Sequence, residues 1–171
     1  MRVLVACEYS GVVRDAFLKR GHEACSADFL FSESPLGYHY QGDVMDIIDD
    51  GWDLMIAHPP CTYLSSAGNA WLKAPGRMAA RDDAYEFVMA LAGADIPRIC
   101  IENPVGFLNS HWRKPDQIIH PYFFGDPRMK RTCLWLKGLK PLYYIPGFYP
   151  VPDPVYVSTG ATTKGKKNSL D

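Results

Sequence analysis

Short apolar runs recur along this chain, each closed by a polar or glycine-rich turn, and they alternate with stretches of helical spacing. Residues 3–6 read as a buried strand. A turn at Ser10-Gly11 follows, then a helix over about 12–20 that carries Val13, Ala16 and Phe17 on one face and stops at Gly21. A second strand over 23–27 ends on Asp28. A Ser-, Pro- and Gly-rich loop then leads to Gln41-Gly42-Asp43-Val44, and 52–57 is the next strand. Residues 77–92 are good helix formers, with Tyr85, Val88, Met89, Leu91 and Ala92 as an apolar face, and 98–101 form another buried strand. The pattern weakens past Trp112. Residues 132–136 are a plausible last strand, and prolines at 141, 146, 150, 152 and 154 exclude long regular elements beyond Lys140.

This alternation predicts an α/β fold with a mostly parallel sheet flanked by helices, its ligands at the carboxyl ends of the strands. Residues 1–140 are expected to form the main domain and 141–171 a Pro-rich extended segment with a basic tail. Asp28, Asp43, Cys61 and Glu102 are all placed at or just past strand ends, which argues for one site.

Composition adds bounds. The 171 residues suit one ordinary domain, and 47% hydrophobic with 22% charged content is normal for a globular protein. The apolar runs are strand-sized, too short to span a bilayer, and the first is too short for a secretory signal, so no membrane association and a cytoplasmic location are expected. The five cysteines are scattered without a C-x-x-C pair, against a disulfide framework or a zinc knuckle. Cys25, Cys100 and Cys133 read as small buried hydrophobes. The net charge of −1 is poor for a tight duplex-DNA binder, yet Arg128, Lys130, Arg131, Lys137 and Lys140 cluster, and Lys164, Lys166 and Lys167 make a basic tail.

The candidate chemistry lies at two strand ends. Ala57-His-Pro-Pro-Cys61-Thr-Tyr-Leu-Ser65-Ser-Ala-Gly68 puts a cysteine after a rigid Pro-Pro pair, and Ile101-Glu102-Asn103-Pro104 puts a carboxylate and an amide at the end of a neighbouring run. A thiolate is a competent nucleophile, and a partly buried carboxyl can protonate a ring nitrogen. Together they can add to a flat heterocycle and leave the adjacent carbon nucleophilic. His58 has no second metal ligand at recognisable spacing, so no metal site is expected and an orienting role suits it. Trp71, Trp112 and Tyr63 could stack on nucleobases, although packing is the commoner use of aromatics.

These residues carry a resemblance. Pro59-Pro60-Cys61-x-x-x-Ser65-x-x-Gly68 resembles the nucleophile motif of DNA (cytosine-5)-methyltransferases, and Glu102-Asn103 resembles that family's Glu-Asn motif. The segment Phe124-Gly125-Asp126-Pro127-Arg128-Met129-Lys130-Arg131-Thr132 is similar to its later basic motif, with Thr132 where a second arginine would fall. The resemblance spans roughly residues 3–136. It implies a Rossmann-like methyltransferase fold and S-adenosylmethionine as cofactor. By it Cys61 attacks carbon 6 of cytosine, Glu102 protonates nitrogen 3, and Lys130 or Arg131 helps hold the base. Pro60, Ser65, Gly68, Asn103 and Arg128 would contact the substrate. Glu8, Ser10 and Gly11 stand where the family has a glycine-rich turn, here with one glycine. Asp28 with Phe29 corresponds to the ribose-binding acid and its neighbour, Asp43 with Val44 to the adenine reader, and Pro59 would flank the cofactor. A carboxylate at the second strand end of a Rossmann-type sheet commonly binds ribose hydroxyls in any case. No segment matches the family's target-recognition domain, and residues 157–163 are at best a remnant of its C-terminal motif.

The expected partner is therefore DNA, single-stranded or duplex read with low specificity, or else DNA whose target a partner protein recognises, with a free nucleotide substrate left open. Two alternatives stay open: a cofactor- or nucleotide-binding module that acts as a decoy or regulatory subunit, and, less favoured, an amino-group methyltransferase.

Overall fold

The computed structural model describes residues 1–66 and 74–152; Gly68, Trp71, residues 157–163 and the lysines of the basic tail lie outside the described residues. Seven strands, β1 (Arg2–Ala6), β2 (Glu23–Asp28), β3 (Tyr38–Gln41), β4 (Leu54–Ala57), β5 (Ile99–Pro104), β6 (Gln117–Ile119) and β7 (Thr132–Lys137), form one sheet in the order β3-β2-β1-β4-β5-β7-β6. The first five are parallel, and β7 runs antiparallel to both of its neighbours. The α/β architecture with a mostly parallel sheet agrees with the sequence expectation.

Burial explains the strand sequences. Val3 and Val5 face α1 (Val12–Leu18), packing with Val13, Phe17 and Leu18, while Leu4 and Ala6 face the opposite layer with Val88 and Leu91 of α2 (Arg77–Gly93). A strand covered on both faces reads as a continuous apolar run rather than an alternating one. Burying Val88 and Leu91 completely contributes about 1.5–3 kcal/mol each before entropy is charged. Cys25, Cys100 and Cys133 are buried as expected, and the five cysteines are free thiols.

Several boundaries differ from the sequence reading. The strand β3 was not anticipated, because Tyr38-His-Tyr-Gln41 has no apolar run; its pairing with β2 and the bond between Ser26 Oγ and His39 Nδ1, 2.8 Å apart, hold it in the sheet. Neither α3 (Phe107–His111) nor β6 was foreseen. Trp52 and Arg98 fall outside the strands expected to include them. Conversely, β5 continues through Glu102 and Asn103 to Pro104, because antiparallel β7 supplies partners (Glu102 with Leu134, Asn103 with Cys133, Pro104 with Thr132) that no parallel strand offers there. Residues 141–152 form no helix or strand, as the prolines require.

The chain order reverses between β1 and β4: β2 and β3 lie to one side and β5 to the other. A crevice at the carboxyl ends of such a pair is where open α/β sheets bind ligands.

Candidate functional site

The β1–α1 turn forms one wall of that crevice. Its entry residue, Cys7, has φ 59° and Gly11 has φ 76°. At Gly11 a Cβ would also stand 2.6 Å from Arg14 Nη2 and 2.7 Å from Ser34 Cβ, so glycine is needed for backbone angle and for space. The α1 N-terminus has no side-chain cap from Gly11. Glu8 takes over: it is almost fully buried, and its carboxylate accepts from the Val13 amide at 2.6 Å, the Arg14 amide at 3.1 Å and the Ser10 hydroxyl at 3.2 Å. A carboxylate at a helix N-terminus satisfies free amides and complements the helix dipole. The structure thus places Glu8, Ser10 and Gly11 together as a braced turn.

Beneath the turn lies Arg14, which sequence reasoning did not single out. It is fully buried, donates to Ser26 Oγ at 2.9 Å and Ser32 Oγ at 3.2 Å, and pairs with Asp15 at 3.0 Å. Ser34 donates to the other Asp15 oxygen at 2.5 Å. This network pins the loop that follows Asp28 against α1. Its only sequence signal was an arginine in the middle of an otherwise apolar helix face.

The second wall comes from the ends of β2 and β3. Asp28 accepts from the Leu30 amide at 2.9 Å, and Asp43 accepts from the Met45 amide at 3.0 Å as it caps a 3-10 turn, Val44–Asp46. An open hollow lies among Cys7, Asp28, Phe29, Asp43, Pro60 and Phe87, with buried Val44 also in its lining. Phe87, from α2, was not foreseen as a lining residue. Burial first, then the Asp28 and Asp43 charges, push the Cys7 thiol up to about 12, so it stays neutral between the two acids. A second hollow shares Cys7 with the first and is bounded by Glu8, Ser10, Val13 and His58.

His58 leads to the reactive candidates. Its Nδ1 lies 3.3 Å from Glu102 Oε2, and both side chains are partly exposed. The His58 Nε2 is buried with no partner among the described residues. The loop that follows, 58–66, is held at four points. The His58 amide donates to the Ala6 carbonyl at 3.0 Å, and Asn103 Nδ2 to the Pro59 carbonyl at 2.8 Å. The Ser66 amide donates to Val105 at 3.2 Å, and the Phe107 amide to Leu64 at 2.7 Å. Leu64 is buried below while Cys61 is exposed above, its carbonyl accepting from the Leu64 and Ser65 amides. Ser65 bridges to Gly106, where a Cβ would sit 2.1 Å from the Leu64 carbonyl oxygen. Gly106 is the residue sequence reasoning missed here; an isolated glycine after Glu-Asn-Pro-Val carries no signal until the two loops are seen to touch. On the other side, the Arg77 guanidinium lies 4.9 Å from the Tyr63 ring centroid, tying the start of α2 to the cysteine loop.

The site residues therefore divide. Pro59 and Asn103 are buried and lock to each other, whereas Pro60 and Cys61 are exposed at the loop crest. Lys130 and Arg131 are exposed immediately before β7, which enters the sheet at the edge where β5 leaves it, so they share the edge of Glu102. Arg128 is engaged by Asp126 through two hydrogen bonds, Nε to Oδ1 at 2.7 Å and Nη2 to Oδ2. The hydrogen bond and charge of Asp126 raise the arginine's pKa, and the same pair lowers that of Asp126.

No protein-family model matches this chain, and no curated protein matches it. Among the described residues no helix is long and apolar enough to cross a membrane.

Proposed function

We propose that this protein is a methyltransferase of Rossmann-like fold that transfers a methyl group from S-adenosylmethionine to carbon 5 of cytosine in DNA. The single observation that supports this reading best is the grouping of the candidate residues at the carboxyl ends of neighbouring strands. Asp28 and Asp43 line one hollow with Pro60, a second hollow shares Cys7 with it and reaches His58, and His58 lies 3.3 Å from Glu102.

The lining suits an adenosyl group. Asp28 and Asp43 each use one carboxylate oxygen on a backbone amide and leave the other for a hydroxyl or amino donor, while Phe29, Pro60 and Phe87 supply apolar walls. S-adenosylmethionine held there would supply an electrophilic methyl group. The chain's own residues do the rest. The Cys61 thiolate bonds to carbon 6, the electrons of the 5,6 double bond move into the ring, and Glu102 gives a proton to nitrogen 3. Carbon 5 is then electron-rich. After substitution, carbon 5 loses its proton to water, Glu102 recovers the proton from nitrogen 3, and expulsion of the thiolate restores the ring. His58 holds the Glu102 carboxyl at 3.3 Å and can share its proton. Asn103 acts through Pro59 on the crest of the cysteine loop, and Lys130 and Arg131, exposed at the same sheet edge as Glu102, would meet the phosphate or the base. In duplex DNA the base would have to be flipped out.

A covalent trap tests the reading. With S-adenosylmethionine and oligonucleotides containing 5-fluorocytosine, a denaturing gel and mass spectrometry should show an adduct that disappears in Cys61→Ala. Absence of adduct on single- and double-stranded DNA, with cofactor still bound, would instead favour a binding module of the same fold.

A further inference from the structure

The chain between β6 and β7 and the segment after β7 meet at the site edge of the sheet. The strand β6 runs toward that edge, and residues 120–131 cross over it before β7 returns. The strand β7 then carries the chain to the opposite edge, and residues 141–152 come back along β6. The Gln117 side chain pins this return by donating to the Leu142 carbonyl at 2.8 Å and accepting from its amide at 2.7 Å. Tyr144 stacks on Phe123 with ring centres 4.2 Å apart, nearly parallel, and Tyr149 packs edge-on against Phe148. Tyr149 also lies over Gly125. The result is an open hollow walled by Tyr122, Phe123, Tyr144 and Tyr149, with Phe124 and Phe148 exposed beside it.

Charge sets the occupant. Between residues 117 and 152 the only acid is Asp126, already engaged by Arg128, whereas Lys130 and Arg131 are exposed in the same crossing. The whole chain is slightly acidic, with a net charge of −1. Two exposed cations in the same crossing as the exposed Phe124 ring, with the exposed Phe148 ring beside the hollow, suit a polyanion whose flat rings are unpaired. Base–aromatic stacking supplies affinity that tolerates any sequence, and cations on the backbone supply salt-dependent attraction. A duplex hides its base faces and favours a broad basic footprint, which a net charge of −1 does not favour.

We propose that this aromatic and basic lobe is a binding platform for single-stranded DNA, delivering the strand to the Cys61–Glu102 edge. The assignment of the strand as substrate rests on the function proposed above; the binding surface does not. The lobe takes two or three successive bases in and beside the Tyr122–Tyr149 hollow, while Lys130 and Arg131 meet the phosphates between the hollow and Glu102.

The test is fluorescence anisotropy with a labelled thymidine oligonucleotide of about 16 nucleotides, which contains no cytosine and so reports binding alone. Phe148→Ala and Tyr149→Ala should each weaken binding about five- to tenfold with unchanged melting curves. Lys130→Ala with Arg131→Ala should weaken it and flatten its salt dependence. Lys140→Ala, past the opposite end of β7, should leave affinity unchanged, and the same oligonucleotide annealed to its complement should bind more weakly. Wild-type affinity in both aromatic variants, or duplex binding as tight as single-strand binding, would overturn the platform. The 5-fluorocytosine adduct separates the two proposals. An adduct with binding indifferent to Phe148 and Tyr149 removes the platform and keeps the chemistry; aromatic-dependent binding without adduct does the reverse.

Discussion

Gly106 governs where Cys61 sits. Its φ of 175° is ordinary extended backbone, so the demand is for space alone: a Cβ would meet the Leu64 carbonyl oxygen at 2.1 Å and Ser65 Cα at 2.8 Å. Gly106→Ala must push the 61–66 turn away from β5, and a displacement near 1 Å at a reacting centre costs on the order of a hundredfold in rate. The expected outcome is at least that loss in the rate of 5-fluorocytosine adduct formation, with cofactor binding retained because the Asp28–Asp43 wall is untouched. Equal loss of both would show that the glycine serves folding rather than position. The Pro-Pro-Cys and Glu-Asn pairs were legible in the sequence because each puts reactive types beside rigid ones. The grip of Asn103 on Pro59 and the Gly106 contact were not, since each joins residues 40 or so positions apart through backbone atoms that every residue possesses.

At the scale of elements, α1 and the loop after β2 behave as one unit through Arg14. Replacing Arg14 by Met removes the guanidinium that Ser26, Ser32 and Asp15 share, and breaking a buried pair of this kind costs about 3–5 kcal/mol. A fall of that size in urea-unfolding free energy is expected, with Lys19→Met at the C-cap of the same helix as a near-neutral control. Asp15 adds a pH dependence. The Ser34 hydroxyl first, and then Arg14, hold its carboxyl below the ordinary 3.8. Its stabilisation is therefore complete above that value and is lost as pH falls through the lower, folded value. The denaturation midpoint should drop on acidification below the usual carboxylate range, and Asp15→Asn should make the profile shallower. Asp116 works in the same direction: burial raises its pKa, but the Leu136 amide and Arg113 outweigh this and leave it lowered. The helix α1 was readable from its spacing, although it was expected to run to residue 20 and ends at Leu18; its dependence on a buried arginine was not, because the partners come from β2 and a loop of serines that reads as solvated.

For the whole molecule, the crevice exists because the chain order reverses between β1 and β4, so ligand binding should stabilise the entire sheet rather than one loop. A ligand at a hundred times its dissociation constant contributes about 2.7 kcal/mol. For a domain of this size, S-adenosylmethionine at that excess should raise the melting temperature by roughly 5–10 °C. Asp43→Asn should reduce the shift and Cys61→Ala should leave it intact. A shift unaffected by Asp43→Asn would place the ligand elsewhere.

By itself the sequence determined the α/β class, the two central helices and most strands of the sheet, because burial on both faces of a parallel sheet imposes continuous apolar runs and helices impose their own period. It also marked Cys61, Glu102, Asp28 and Asp43 as candidates, because a nucleophile and three acids recur at the ends of predicted strands, where open α/β sheets bind ligands. Tertiary structure alone decided the rest. Polar β3 is a strand only because β2 and Ser26 hold it, and β5 extends past Glu102 only because β7 runs antiparallel beside it. The aromatic lobe forms only because the Pro-rich segment turns back along β6. Each depends on pairing between distant parts of the chain, and local periodicity carries no record of which distant partner will be met.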